Sequence, residues 1–159
     1  MARKVHSDGS VLIWGPNGAV YVVRLAPGLL YTLGIGNFDG PFEDGPMGDF
    51  DREMAAHGSL ELFMDLRNVE RGSRRSRDPW KDWATRNRTR MRSHLLVRSS
   101  ILRMAISVIA MVSGATSLSY DDDKAFLREL GRRVPSVRSL PTAPSWASAL
   151  LDARLTSTG

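Results

Sequence analysis

The sequence predicts an α/β fold: a mixed sheet with an antiparallel N-terminal meander and helices packed on the sheet. Three short apolar runs separated by Gly- and Pro-containing turns open the chain, which is typical of antiparallel strands with tight connections. From residue 59 onward, strand-like and helix-like segments alternate, which indicates parallel strands joined by helices. The length of 159 residues and the apolar share of 42% are those of one ordinary domain with a sizeable core.

The N-terminal part is predicted to form three strands and one short helix. Residues 1–10 are polar and are expected to form a flexible leader before the domain proper, which spans residues 11–133. Asp49 is expected to cap the helix and Gly58 to follow its last residue. The predicted strands are residues 11–14, 19–25 and 29–35, and the predicted helix is residues 50–57.

The C-terminal part begins with a strand at residues 60–66, in which large apolar residues alternate with Glu61, Phe63 and Asp65. Phe63 on the second face indicates that both faces are partly covered. After a basic turn, Asp78 as N-cap and Pro79 as first helical residue predict the start of the next helix. That helix is expected to run from residue 80 to about 92, with strands at 95–98 and 116–120 and helices at 101–112 and 124–133.

Two segments carry expectations about contacts. The helix at residues 101–112 is apolar almost all round, so we expect most of its surface to be buried or covered by a partner, including a second copy of this chain. Residues 134–159 are rich in Pro and Ser and are expected to form a tail. Within it, residues 146–155 have the spacing of one more short amphipathic helix.

The charge balance favours a negatively charged partner. The formal net charge is +5, and arginine supplies nearly all of the positive charge because lysine occurs only at Lys4, Lys81 and Lys124. An acidic protein surface or a phosphate would match this charge, and solubility alone is the alternative explanation. Nucleic acid is not favoured, since aromatic residues are not interleaved with the basic ones as in a single-strand binding groove.

The class of protein is further limited by what the sequence lacks. There is no cysteine, which excludes a disulfide framework and thiolate chemistry and fits a reducing compartment. The first residues lack the apolar stretch of a signal peptide, and the longest apolar run is too short to span a bilayer. We therefore expect a cytoplasmic protein with no membrane span.

The order of elements at this length resembles the STAS domain, the sulfate-transporter and anti-sigma-factor-antagonist family, over residues of about 11 to 131. Gly36-Asn37-Phe38-Asp39 is similar to the family's Gly-x-Leu-Asp. Asp65-Leu66-Arg67-Asn68-Val69 is similar to the Asp-Leu-x-x-Val that ends its central strand. The resemblance implies a regulatory binding module of bacterial signalling proteins.

The chain departs from this family at the regulatory position. In the antagonist branch the central strand leads into Asp-Ser-Ser-Gly, and a partner kinase phosphorylates a serine there. Counting from Asp65, the Asp-Ser pair corresponds to Ser73 and Arg74, so the aspartate is absent and an arginine occupies the phosphoacceptor position. The resemblance therefore implies a binding module without implying the same switch.

The candidate site is the basic segment after the central strand. Ser73 and Ser76 lie among the arginines and are candidate phosphorylation sites, because a phosphate on either would pair with a guanidinium at once. A solvated turn without modification is the alternative. Trp80 and Trp83 are expected to pack in the core or an interface rather than form a stacking platform. The predicted partner-binding residues are Arg67, Arg71, Arg74, Arg75, Arg77 and Trp80.

No catalytic residue, metal site or cofactor is predicted. His6, His57 and His94 lie on separate elements without metal-ligand spacing, and neither a nucleophile elbow nor a phosphate-binding glycine loop occurs. The sequence thus predicts a non-catalytic regulatory module that binds an acidic protein partner. Two alternatives stay open: a structural subunit that forms homo-oligomers, and a binder of a small anionic ligand or lipid.

Overall fold

The computed structural model describes residues 2–38 and 45–145, with the backbone alone at residues 71 and 74–76, and in this part of the chain shows one seven-stranded sheet and four helices. The strands are β1 Ala2–Val5, β2 Val11–Trp14, β3 Gly18–Ala26, β4 Leu29–Phe38, β5 Leu60–Gly72, β6 Met91–Leu96 and β7 Thr116–Tyr120. The helices are α1 Met47–His57, α2 Arg74–Asn87, α3 Ser100–Ser113 and α4 Asp123–Arg133.

The sheet order follows the chain from β1 to β7, and this topology confirms the predicted mixed sheet. The pairs β1–β2, β2–β3 and β3–β4 are antiparallel, whereas β4–β5, β5–β6 and β6–β7 are parallel. Parallel neighbours require crossover connections, and crossovers of the same hand place α1, α2 and α3 on one face. The carboxyl ends of β4 to β7 therefore lie at one edge of the sheet.

The central strand β5 contributes to both faces of the core. Leu60, Leu62 and Met64 pack on the face covered by α1 to α3, where Phe50 and Trp83 are buried. Phe63 packs on the opposite face with Phe126 and Leu130 of α4. The alternation predicted for this strand is confirmed, because side chains along a strand point to opposite faces in turn.

The expected flexible leader is wrong for the first residues. β1 pairs with β2 in antiparallel register, and the Arg3 guanidinium donates two hydrogen bonds of 2.7 Å to the Asp49 carboxylate. The expected cap of α1 is also wrong. The helix begins at Met47 after Pro46 without a side-chain cap, and Asp49 in its first turn pairs with Arg3 and Arg52.

The expected boundaries of α2 are wrong at both ends. β5 continues to Gly72 and α2 begins at Arg74, so Asp78 and Pro79 lie inside the helix. Arginine is a good helix former, and Pro79 removes only one backbone hydrogen bond near the helix start. The helix ends at Asn87, and residues 91–96 form β6, whose first two residues the expected helix had included.

The later elements follow their local signals. Ser99 caps α3 by accepting a hydrogen bond from the Leu102 N–H at 3.2 Å, and Gly114 ends the helix in the left-handed region. Asp122 caps α4 through the N–H groups of residues 124 and 125. Beyond α4, Val137 packs against the second face of the sheet. The short helix expected at residues 146–155 lies outside the described residues.

A buried polar network joins α4 to the sheet on the second face. The imidazole of His94, which is fully buried, stacks on Phe63 with ring centroids 4.2 Å apart. Its Nδ1 lies 3.0 Å from the Tyr120 hydroxyl and its Nε2 lies 2.8 Å from the Glu61 carboxylate, which also accepts from Arg133. Burial lowers the pKa of His94 below its ordinary value, although the hydrogen bond to Glu61 opposes this.

Stability is therefore expected to fall as the pH drops below the usual histidine range. In the unfolded chain His94 takes up a proton near a pKa of about 6.5, whereas in the folded chain it does so only at lower pH. Its contribution is present above about pH 6.5 and is lost as the pH falls through the folded-state pKa. His94→Gln, which retains a polar side chain, should flatten the dependence of the thermal midpoint on pH below about pH 6.5. An unchanged slope in this variant would contradict the assignment.

Candidate functional site

The basic segment joins β5 to α2 at the edge where the parallel strands end. Phe38 and Gly72 are the last paired residues of β4 and β5, and the Ser73 N–H donates to the Phe38 carbonyl at 3.2 Å. The Ser73 carbonyl accepts the Arg77 N–H at 3.2 Å, the first backbone hydrogen bond of α2. Ser73 therefore occupies the N-cap position of the helix, and Ser76 lies in its first turn.

The beginning of α2 carries an unusual set of charges. Arg74, Arg75 and Arg77 follow the N-cap, and no acidic residue lies in the first turn. Helix N-termini carry a partial positive charge, so acidic residues stabilise them and cations do not. Arg77 is exposed, and its Nε donates to the Ser73 carbonyl at 3.4 Å. Positive charge is thus concentrated where the helix dipole already favours an anion.

Arg67, the first predicted partner-binding residue, has a different environment. Its guanidinium donates to the fully buried Asp65 carboxylate, with Nε–Oδ1 at 2.9 Å and Nη2–Oδ2 at 2.7 Å, and through Nη1 to Asp123 of α4. Tyr31 also donates its hydroxyl to Asp65 at 3.0 Å. The hydrogen bond to Asp65 raises the pKa of Arg67, and burial raises the pKa of Tyr31. The donors of Arg67 therefore hold β5 against α4.

The tryptophans of α2 pack toward the core. Trp83 is buried, packs on Phe50 with ring centroids 5.6 Å apart, and donates its Nε1–H to Asp51 of α1 at 2.8 Å. Trp80 is partly buried and lies 5.8 Å from Phe50 and 6.3 Å from Trp83, measured between ring centroids. The predicted packing role is confirmed for Trp83. Trp80 forms the boundary between this aromatic cluster and a cavity behind it.

An apolar cavity of about 140 Å³ lies between the sheet, α2 and α3. Its polar hydroxyls are engaged within the chain, since Ser93 bonds Ser117 at 2.9 Å and Ser113 bonds the Ala110 carbonyl. Residues that form its walls include Leu62, Met64, Trp80, Trp83, Ile106 and Ile109.

The helix that covers this cavity is only loosely buried. Ser113 is the one buried residue of α3. On its outer side Ile101 is 76% exposed and Met111 is 77% exposed, and Met104 and Val108 between them are also exposed. The predicted apolar surface around the whole helix is present, yet one side faces the cavity and the other faces solvent. Exposed apolar patches of this kind mark interaction surfaces.

A second basic region, which the sequence reasoning placed on a helix, lies at the opposite edge of the sheet. Arg88, Arg90 and Arg92 surround a polar cleft of about 530 Å³ at the amino ends of the parallel strands, together with Arg133. Arg90 donates to two backbone carbonyls at the end of α1. Arg88 and Arg90 lie in the turn between α2 and β6, and Arg92 lies in β6.

Within residues 2–38 and 45–145, no cluster of three or more His, Asp or Glu side chains is arranged to hold a metal ion. Over the same ranges, no helix has both the length and the apolar character needed to cross a membrane.

Comparison with known proteins identifies the fold. No family model matches the chain, and no curated protein matches it. An uncharacterised protein of the DUF3478 family from Shewanella loihica PV-4, with a SpoIIAA-like fold, superimposes with a TM-score of 0.54 at 11% identity. The match covers 72% of this chain and 94% of that protein. The SpoIIAA-like fold is that of the STAS domains and anti-sigma-factor antagonists, so this chain has the STAS-like fold that its sequence predicted.

Proposed function

We propose that this protein is a non-catalytic regulatory module that binds an acidic partner protein through a basic surface at the start of α2. We define the basic surface as Arg71, Arg74, Arg75 and Arg77 around Ser73. The observation that carries the proposal is the position of three of these arginines in the first turn of α2, which contains no acidic residue. The STAS-like scaffold supports a binding role rather than a catalytic one.

Arginines in the first turn of a helix favour an acidic partner. Cations at the positive end of a helix oppose its dipole, so the arrangement weakens the helix in the free protein. Carboxylates of a partner would offset both the arginine charges and the partial charge of the helix end. Arginine also binds carboxylates through two parallel hydrogen bonds, which gives such a contact direction as well as strength.

Phosphorylation would act on the same surface. A phosphate on Ser73 would lie at the N-cap of α2 beside the arginines, where the dipole and the guanidinium groups both favour it. The phosphate would pair with the arginines that the partner's carboxylates would otherwise bind. We therefore propose that modification of Ser73, or of Ser76 in the first turn of the helix, releases the partner.

Reversing the charge of the basic surface tests the proposal. Arg71→Glu/Arg74→Glu/Arg75→Glu should abolish partner capture from the native host, because the partner's carboxylates would then be repelled. The thermal midpoint should not fall, since acidic residues at a helix N-terminus interact favourably with its dipole. Capture followed by quantitative mass spectrometry measures the loss and also detects phosphate on Ser73 or Ser76.

The chain offers a matched control for this variant. Arg86→Glu/Arg88→Glu/Arg92→Glu makes the same change in net charge with exposed residues remote from the N-terminus of α2. It should retain capture. Survival of capture in the first variant, or equal loss in both, would show that the basic surface is not the working surface.

A second candidate function, assembly into a homodimer, is favoured by the outer face of α3. Ile101, Met104, Val108 and Met111 are exposed and follow one another at spacings of three, four and three residues. This spacing forms a continuous apolar stripe along a helix, as in paired helices. Two copies can pair such stripes about a two-fold axis, which makes a second copy the natural occupant.

Light scattering on the purified protein tests the dimer. The wild-type chain should have twice the monomer mass at micromolar concentration, and Met104→Glu/Val108→Glu should return it to the monomer by placing charge in the stripe. Val5→Glu, at a position 60% exposed on β1 at the other edge of the sheet, is the control and should remain dimeric. A wild-type protein that is monomeric throughout would contradict assembly through α3.

A further inference from the structure

We propose that the apolar cavity beneath α3 is a binding site for a small carboxylate that carries an apolar group about the size of a benzene ring. This goes beyond the proposed partner binding, because the ligand would lie behind α2 and α3 rather than on the basic surface. The cavity, its walls and the arginine at its margin carry the inference.

The volume and the walls define the buried part of the ligand. Protein interiors are close-packed and contain few voids larger than a water molecule, so about 140 Å³ of apolar space is notable. A cavity of about 150 Å³ with aliphatic and aromatic walls stays dry and accepts benzene. The hydroxyls of Ser93 and Ser117 bond each other and leave no strong demand for a polar ligand atom. The group that enters must therefore be apolar.

The arginine at the opening of the cavity indicates the charged group of the ligand. Arg77 lines the cavity and is exposed, so its guanidinium can meet solvent and ligand together. Its Nε contacts the Ser73 carbonyl, and within the described part of the chain neither terminal amino group has an ion pair. A carboxylate at this margin would pair with those amino groups near the positive end of α2. The apolar group would then extend toward Trp80 and Trp83.

A ligand in the cavity would increase the burial of α3, the helix that covers it. Leu102, Ile106 and Ile109 on the underside of α3 are only partly buried, although they face the cavity. A bound apolar group would supply the contacts that these side chains lack. We therefore expect the ligand to slow hydrogen exchange of the α3 backbone amides more than that of α4, which lies on the other face of the sheet.

Calorimetric titration with a matched pair of probes tests both parts of the site. 3-Phenylpropionate and its neutral analogue 3-phenylpropan-1-ol should both bind the wild-type protein, the acid with a Kd of about 1 mM or tighter. Arg77→Gln should raise the Kd of the acid about fivefold, which is the upper range for an exposed ion pair. The Kd of the alcohol should not change. Equal effects on both probes, or no binding of either to the wild-type protein, would overturn the proposal.

Variants that fill the cavity test whether the probes bind there or at another surface. Ala105→Leu and Ala110→Leu each add bulk at the cavity wall and should abolish binding of both probes while retaining cooperative unfolding. Val108→Leu adds bulk on the outer side of α3 and should bind as the wild type does. Wild-type affinity in either folded cavity variant would overturn the site. Because these variants leave the basic surface intact, failure here leaves the partner-binding proposal to its own test.

Discussion

The buried carboxylate of Asp65 is the constraint on which this structure depends most. It lies in the central strand with no exposed surface, so its charge must be satisfied inside the fold. Arg67 and Tyr31 satisfy it, and Arg67 extends the pairing to Asp123 at the start of α4. Losing one partner of such a buried pair costs about 3–5 kcal/mol. This pairing joins the middle of β5 to β4 and to the start of α4.

The arginines between residues 67 and 77 therefore fall into two groups with different environments. Arg67 is held inside the fold, whereas the arginines after Gly72 lie at the start of α2, where they oppose the helix dipole. Local choices that conflict with the fold are expected at functional positions. The basic surface is such a conflict, and the cavity under α3 is a second one, since an underpacked space weakens the core.

The success of the sequence-based predictions depended on how local each signal was. Ser99, Gly114 and Asp122 each act on the helix next to them, and α3 and α4 lie within about one residue of the ranges that the sequence predicted. β1 is held by pairing with β2 and by Arg3 reaching Asp49 across 46 positions, which no local pattern shows. Pro79 was misleading, because proline at a helix start is common and proline six residues into a helix is not. The apolar pattern of α3 predicted that its surface would be buried or covered by a partner. The cavity beneath α3 depends on how the helices pack on the sheet, which the sequence pattern does not show.

The most direct measurement compares arginine-to-methionine variants along this segment by urea unfolding. Methionine keeps much of the aliphatic length and removes the charge. Arg67→Met should lower the free energy of unfolding by about 3–5 kcal/mol, because it leaves Asp65 buried and unpaired. Arg74→Met should change it by less than about 0.5 kcal/mol or raise it slightly, because it removes a cation from the helix start. A small effect at Arg67, or a large loss at Arg74, would contradict the division between a structural arginine and a basic binding surface.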